Sequence, residues 1–256
     1  MVNRRCLGLV LLLVSAPLWA RPTPCPDRVT PKPMFFAAVP ATVFVADGAG
    51  NFQRASRFLR AVTTRDGYPI EVITCEWSHG NRRILADQTD YAHARSEGEK
   101  LASMVQAYHA AHPEQPLYLL GHSAGTTIII AALEHLPANV VERAVLMAPS
   151  ISAYYDLLPA VKAVKHDIHV FYSSHECLYL RVGIRLVGTS DRTREPAAGV
   201  GGFRVDPDPQ EPSLSSKLIQ HPWQRSDREL GHNGSHFGGY QPGFLRANII
   251  PLLNPP

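Results

Sequence analysis

The sequence of 256 residues has little charge, little cysteine and no long apolar run. Charged residues make up only 18% of it and form no block of one sign, which argues against a disordered or solvating protein. No stretch reaches the ~18 apolar residues of a membrane span, so a multispanning membrane protein is excluded. The net charge of +3 is close to balance and basic residues do not alternate with aromatics, so no nucleic acid is expected as a partner.

Several motif classes are missing as well. The sequence contains no C-x-x-C pair, which removes the zinc-ribbon and dithiol interpretations. It contains neither G-x-x-x-x-G-K-[ST] nor G-x-G-x-x-G, so a nucleotide cofactor is not predicted. The 22 prolines and 18 glycines follow no fixed period, which excludes collagen-like and repeat architectures.

Residues 1–20 have the pattern of a secretory signal peptide. Arg4 and Arg5 precede an apolar run that ends at Trp19, and Ala20 is a small residue suited to cleavage. We therefore expect an exported protein, periplasmic or secreted, with no stable membrane insertion once the signal is removed. The alternative is an uncleaved N-terminal anchor.

The segment after the predicted signal is rich in proline. Residues 21–40 carry six prolines and predict an extended N-terminal arm. Three cysteines follow the signal, and in an oxidising compartment two of Cys25, Cys75 and Cys177 could pair. Cys75 lies in an apolar run, which favours a buried, hydrophobic role.

Residues 41–256 alternate between apolar, β-branched runs and segments of helical periodicity, which predicts one α/β domain with a mainly parallel central sheet flanked by helices. Residues 188–215 are rich in Gly, Pro, Asp and Arg and predict a lid or a wrapped excursion. The predicted strands are 42–46, 68–75, 117–120, 144–147, 168–172 and 217–222, and the predicted helices are 53–63, 93–111, 123–136, 155–164 and 242–253.

The strongest site signal is the pentapeptide Gly121-His122-Ser123-Ala124-Gly125, a G-x-S-x-G motif. It follows an apolar strand and opens a helix, the strand–turn–helix context that the motif needs. The glycines remove side chains where strand and helix crowd, so the turn can lift the Ser123 hydroxyl into a cleft. A structural serine, which is the alternative, does not need this strand–turn–helix context. These residues therefore predict a nucleophilic serine.

With this motif the sequence resembles the α/β-hydrolase superfamily over about residues 41–253. It looks especially like uncharacterised exported bacterial hydrolases that combine a D-G-A-G turn, a W-S-H-G segment and G-H-S-A-G. The resemblance implies catalytic residues in the order Ser, acid, His, an eight-stranded mainly parallel sheet, and no cofactor.

The resemblance places the acid after the strand that ends at Tyr172. Glu176 occupies the acid position of the family's strand-S-x-x-D turn, where the usual residue is Asp. Asp191 is the first alternative and Asp206 the second.

The base is expected in the glycine-rich loop before the closing helix. His236 lies in a Gly-Ser-His-Phe setting similar to the family's catalytic loop, and His232 is the alternative. The oxyanion hole is expected from two amides. One belongs to Ala124, directly after the nucleophile. The other belongs to Ala49, with Gly48 as the alternative, in the Asp47–Gly50 turn that resembles the family's H-G-G-G segment.

These residues predict an exported serine hydrolase that forms an acyl-enzyme, with a small ester-like substrate as the default. Peptidase, thioesterase and lipase activities stay open. One rival is a His-based metallohydrolase using His232-x-x-x-His236, but Gly234, Gly238 and Gly239 argue against a helix there, and no metal site is predicted. The other rival is a hydrolase fold that has lost catalysis and serves as a binding module.

Overall fold

The computed structural model describes residues 40–176, 187–205 and 216–253. The predicted signal peptide and nearly all of the proline-rich arm lie outside these residues. Cys25, Cys177 and Asp206 lie outside them too. The remaining cysteine, Cys75, is buried and forms no disulfide with a described residue. Burial raises the pKa of its thiol to about 12, as expected for a small apolar residue rather than a nucleophile.

Six parallel strands form one sheet in the described part of the chain, in the order β2-β1-β3-β4-β5-β6. The superfamily resemblance implied eight strands, so that count is wrong for the described residues. The α/β class with a parallel sheet flanked by helices is confirmed. The strands are β1 Ala41–Ala46, β2 Ile70–Cys75, β3 Leu117–His122, β4 Val141–Met147, β5 Val164–Tyr172 and β6 Leu218–Pro222.

Helices cross between the strands and cover the sheet. The predicted helix over 155–164 shrinks to one turn, and a short helix that the sequence did not predict precedes the long third one. The helices are α1 Arg54–Asp66, α2 Ile84–Thr89, α3 Tyr91–Ala111, α4 Gly125–His135 and α5 Leu158–Val161. Further helical turns are Ala198–Gly201, the 3-10 turn Arg225–Leu230 and the closing segment of Pro242–Phe244, Leu245–Ile249 and Ile250–Leu252.

The core lies where α3 and α4 pack on the centre of the sheet. All six residues of β3 are buried, as are Ile128, Ile129 and Ile130 of α4. A Cβ added at Gly98 of α3 would lie 2.4 Å from Ala131 Cβ, so the glycine allows the two helices to approach closely. This packing fixes the start of α4 against the end of β3. No helix of the described residues is both long and apolar enough to span a bilayer.

The described part of the 188–215 excursion packs against the body. Ala197 forms an isolated antiparallel bridge with Ser152, and the Ser190 amide donates to the Ser150 carbonyl at 3.0 Å. The buried hydroxyl of Ser190 lies 2.5 Å from the hydroxyl of Thr127 on α4. Residues 187–205 therefore follow the surface of the α4 side of the sheet.

Candidate active site

The G-x-S-x-G segment forms a sharp turn between β3 and α4. Ser123 has φ of +54°, a left-handed conformation that is uncommon for a residue with a side chain. Its amide donates to the Met147 carbonyl of β4 at 3.0 Å, and its carbonyl accepts from the Thr126 amide at 3.1 Å. The strained turn is held on both sides by the backbone, so the side chain of Ser123 has a fixed direction.

The two glycines of the motif permit close backbone contacts. A Cβ at Gly121 would lie 2.8 Å from Thr126 Cα. A Cβ at Gly125 would lie 2.1 Å from the Ala46 carbonyl oxygen and 2.4 Å from that of Asp47. The helix start is therefore pressed against the end of β1, which brings the turn after β1 beside the nucleophile.

His236 contacts the serine hydroxyl. Its Nε2 lies 2.8 Å from Ser123 Oγ, and both residues are almost completely buried, with 6% and 8% of their surfaces exposed. Burial, followed by the nearby His122 ring, lowers the pKa of His236 well below its ordinary value. The imidazole is therefore neutral near pH 7, the form in which it can accept a proton.

Glu176 lies on the opposite side of the same imidazole. Its Oε2 is 3.6 Å from His236 Nδ1, and only 2% of the residue is exposed. The residue stands in the tight turn after β5, where its amide donates to the Ser173 carbonyl at 3.1 Å. The structure thus brings Ser123, His236 and Glu176 into one line at the carboxyl edge of the sheet.

The alternative acid and base occupy other positions. Asp191 Oδ1 accepts from the Ser152 amide at 3.0 Å, which fixes a loop instead of orienting an imidazole. His232 is buried in the same loop as His236, but its Nδ1 accepts from the Gly234 amide at 3.1 Å. The Trp223 indole donates to the His232 carbonyl at 2.8 Å. His232 therefore shapes the loop that carries His236.

The turn after β1 lies next to Ser123. A Cβ at Gly48 would be 3.2 Å from Ser123 Cβ. Among the described residues, no acceptor takes a hydrogen bond from the amides of Ala49 and Ala124. The strand order reverses between β1 and β3, and α/β folds bind ligands at such a switch point. Both amides are thus available at the edge where a ligand would approach.

Asp47 stands where the related motif has histidine, and its role is structural. Its buried carboxylate accepts from the Ala55 amide at 2.6 Å and from the Ser56 amide at 3.3 Å. These contacts cap the start of α1. The Trp77 indole donates to the Asp47 carbonyl at 2.9 Å, so Trp77 packs beneath the turn.

Sequence reasoning missed Asp87, which holds the other end of this turn. Its side chain accepts from the Gly50 amide at 2.7 Å and the Ser78 hydroxyl at 2.6 Å, and from the amide and Nδ1 of His79 at 2.8 and 2.9 Å. Burial raises the pKa of Asp87, but these hydrogen bonds outweigh it and hold the pKa below its ordinary value. A buried carboxylate thus ties the Gly50 turn to the turn after β2.

The sequence also gave no reason to single out His122, the variable residue of the pentapeptide. Its Nε2 lies 2.9 Å from the His236 carbonyl oxygen. A carbonyl only accepts, so Nε2 carries the proton and donates. The residue before the nucleophile thereby fixes the backbone of the loop that supplies His236. The only signal in the sequence was a histidine next to the serine. That signal does not reveal the contact with the loop that carries His236.

Comparisons with known proteins agree with this architecture. Residues 91–191 match the family model described as serine aminopeptidase, S33, which belongs to the α/β-hydrolase clan. No curated protein matches the sequence.

Solved structures with a similar fold are distant in sequence. Esterase PE8 is 18% identical, with 82% of this chain and 93% of that chain covered and a TM-score of 0.49. An acetylxylan esterase is 14% identical (82% and 99% covered, TM-score 0.44), and a Trichoderma reesei cutinase bound to a phosphonate inhibitor is 12% identical (85% and 78% covered, TM-score 0.41). These likenesses are too remote to indicate a substrate.

The matched segment contains α3, β3, the strained serine turn and α4, and the remaining strands complete a parallel sheet around it. Over residues 91–191 this chain is therefore similar to serine hydrolases of the α/β-hydrolase clan.

Proposed function

We propose that the protein hydrolyses carboxylic esters through an acyl-enzyme on Ser123, with His236 as general base and Glu176 as the orienting acid. The observation that carries this proposal is the 2.8 Å contact between Ser123 Oγ and His236 Nε2 on a strained turn. A serine hydroxyl is a weak nucleophile at neutral pH, and a neutral imidazole at this distance is the group that activates it.

The tautomer of the imidazole follows from its partners. To accept the serine proton, Nε2 must be unprotonated, so the ring proton lies on Nδ1, on the side of Glu176. When His236 becomes positively charged, the Glu176 carboxylate at 3.6 Å stabilises the ion without taking the proton. His236 then gives the proton to the leaving alcohol, and water releases the acyl group by the same route.

The amides of Ala124 and Ala49 are the proposed donors to the oxyanion of the tetrahedral intermediate. Two oriented amides stabilise the negative charge that develops on the carbonyl oxygen, and losing one such donor typically costs about 3–4 kcal/mol of barrier. The hydrogen bond from Gly50 to Asp87 supports this assignment, because it holds the turn that presents the Ala49 amide.

An ester is the proposed substrate because its alkoxide leaves more easily than the amine of a peptide, and because ester hydrolysis is the commonest reaction of this fold. The matching family model is described as a serine aminopeptidase, so hydrolysis of an aminoacyl amide is the second candidate. Both reactions use the same serine, and substrate pairs with one acyl group separate them.

The first experiment measures labelling by a fluorophosphonate probe and hydrolysis of p-nitrophenyl butyrate. Wild type should label and turn over, and Ser123→Ala should abolish both. Glu176→Gln should lower kcat by about 10²–10⁴-fold, whereas the matched Asp191→Asn variant should keep near wild-type kcat. Loss of activity in Asp191→Asn alone would refute the acid assignment.

Two further arms address the rivals. Activity that survives EDTA supports serine chemistry, and activity lost to EDTA and restored by zinc would favour the metallohydrolase. A wild-type protein that neither labels nor hydrolyses any ester or aminoacyl p-nitroanilide would instead support the binding module.

We also propose that the chain is exported, on the basis of the pattern in residues 1–20. The N-terminal sequence of protein recovered from a bacterial periplasm or medium tests it. A start shortly after Ala20 supports cleavage, and a chain that keeps Arg4 and Arg5 in the membrane fraction would support the anchor.

A further inference from the structure

Arg54 bridges the two loops that flank the proposed nucleophile. Its guanidinium carbon lies 5.7 Å from the centre of the Phe52 ring and 5.5 Å from that of Phe237. Phe237 directly follows His236, and Phe52 follows the turn that ends at Gly50. The cation therefore lies between the loop of the proposed base and the segment after the proposed oxyanion turn. We call this region the entrance.

Within residues 40–176, 187–205 and 216–253, no side chain neutralises the positive charge of Arg54. No described carboxylate forms an ion pair with it, and the two nearby buried carboxylates, Asp47 and Asp87, are engaged by backbone and side-chain donors. Aromatic faces attract a guanidinium but do not accept the hydrogen bonds of its edge. The N–H groups of Arg54 are thus left for a ligand or for water.

Two further arginines lie in the segment that is attached to the Gly50 turn. Arg82 and Arg83 are exposed, and neither forms an ion pair with a described residue. The Arg82 amide donates to the Gly50 carbonyl at 2.9 Å, which attaches this segment to the proposed oxyanion turn. Positive charges that are not paired with carboxylates raise the local concentration of negatively charged substrate.

An apolar shelf lies beside these cations. Phe52, Ile84 and Leu85 are 40%, 50% and 63% exposed, which is high for large apolar side chains. A Cβ at Gly50 would lie 2.7 Å from Phe52 Cε2 and 2.8 Å from Ile84 Cγ1, so both side chains flank this glycine. The entrance thus combines apolar surface with unpaired positive charge.

We infer that this entrance selects esters that carry a free carboxylate at the end of a short apolar chain, with Arg54 as the residue that binds the carboxylate. The inference rests on the proposed function and names its substrate class. A guanidinium presents paired N–H donors that match the two oxygens of a carboxylate, and contacts with Phe52 and Phe237 limit the conformations of the side chain before binding. Apolar parts of the substrate cover the shelf.

The test compares two p-nitrophenyl esters of equal chain length, the neutral valerate and the negatively charged mono-glutarate. Wild type should have the higher kcat/KM for the glutarate, and Arg54→Gln should reduce the glutarate-to-valerate ratio about tenfold, mainly through KM. Arg54→Lys should retain part of the ratio. The matched control is Arg65→Gln, which removes the same charge from the last turn of α1 and should leave the ratio unchanged.

The outcomes separate this inference from the proposed function. Hydrolysis of the valerate that requires Ser123, together with equal use of both esters or an unchanged ratio in Arg54→Gln, would overturn the inference and leave the esterase assignment intact. Absence of any Ser123-dependent hydrolysis would overturn the esterase assignment. Arg54-dependent binding to vesicles containing phosphatidylglycerol, with no preference between the soluble esters, would overturn the inference in favour of a membrane surface.

Discussion

The serine turn and the two loops beside it are held in different ways. The turn depends on backbone contacts, since Gly125 leaves no room for a Cβ against the Ala46 carbonyl. Each loop is held in part by a polar side chain from elsewhere in the chain: Asp87 accepts from the Gly50 amide, and His122 donates to the His236 carbonyl. Ser123 is thus fixed by packing that leaves no room for an added atom, whereas the two loops beside it are fixed partly by long-range side-chain hydrogen bonds.

The largest expected effect is at the backbone contact. Gly125→Ala would place a Cβ 2.1 and 2.4 Å from two backbone oxygens, neither of which can move without shifting β1 or the turn after it. We expect a loss of at least about 3 kcal/mol in the free energy of unfolding, measured by urea denaturation at pH 7, or no folded protein at all.

Two alanine variants sharpen this contrast. Gly201→Ala meets no atom within 4 Å and should change stability by less than about 0.5 kcal/mol. Gly238→Ala would place its Cβ 1.9 Å from the His232 ring, which is a side chain and not backbone, so it should cost less than Gly125→Ala, about 1–2 kcal/mol. Equal costs at Gly125 and Gly238 would mean that the loop is as rigid as the serine turn.

The next effect concerns the loop held by Asp87. Asp87→Asn keeps one acceptor oxygen but replaces the other with an NH₂ group. That group cannot accept the hydrogen bonds that the replaced oxygen accepted. We expect about 2 kcal/mol lower stability and a kcat reduced about 10–100-fold with little change in KM, because the Ala49 amide shifts from the oxyanion. Steady-state kinetics on p-nitrophenyl butyrate measure the split.

Asp90→Asn is the control for Asp87. Asp90 lies three residues further on, is exposed, and caps α3 through a hydrogen bond from the His93 amide at 3.0 Å that asparagine can also accept. It should keep kcat within about twofold of wild type. A normal kcat in Asp87→Asn would show that the oxyanion turn holds its position without this carboxylate.

A smaller effect is expected at His122. His122→Phe keeps a ring between Phe237 and Tyr240 but removes the donor to the His236 carbonyl. The loop then loses one hydrogen bond, and we expect kcat to fall about tenfold with stability lowered by about 1 kcal/mol. His122→Gln retains an N–H donor and should recover part of kcat. Identical rates in the two variants would mean that the ring, and not its hydrogen bond, positions the loop.

The same contrast explains what could be predicted from the sequence. The parallel sheet was predictable because β1, β3 and the second half of β4 are mostly apolar runs. The serine turn was predictable because the glycines of the pentapeptide indicate a local steric requirement. Helix α2 was missed because its first residues, Ile84 and Leu85, are exposed and give no apolar stripe.

The polar supports were not predictable in the same way. Asp87 is one of 22 acidic residues, and nothing adjacent to it in the chain reveals that Gly50 and Ser78 converge on it. The sequence offered Glu176 and Asp191 as acids, and only the placement of the turn after β5 separates them. Long-range hydrogen bonds leave no periodic pattern for sequence analysis to find.

The smallest expected effect is a pH dependence that marks the histidine loop. Burial lowers the pKa of His232 to about 4, from 6.5 in an unfolded chain, so between these values the unfolded state binds a proton that the folded state does not. Stability should therefore fall as the pH drops from 6.5 toward 4.

His232→Asn keeps an acceptor for the Gly234 amide and removes this titration. It should lose about 1 kcal/mol less than wild type between pH 7 and pH 5 in urea denaturation, whereas the exposed His112→Asn should not differ from wild type. Equal losses of stability in all three proteins would mean that the acid sensitivity arises outside this loop. The distinction between a titratable loop and a serine turn held by the backbone would then not hold.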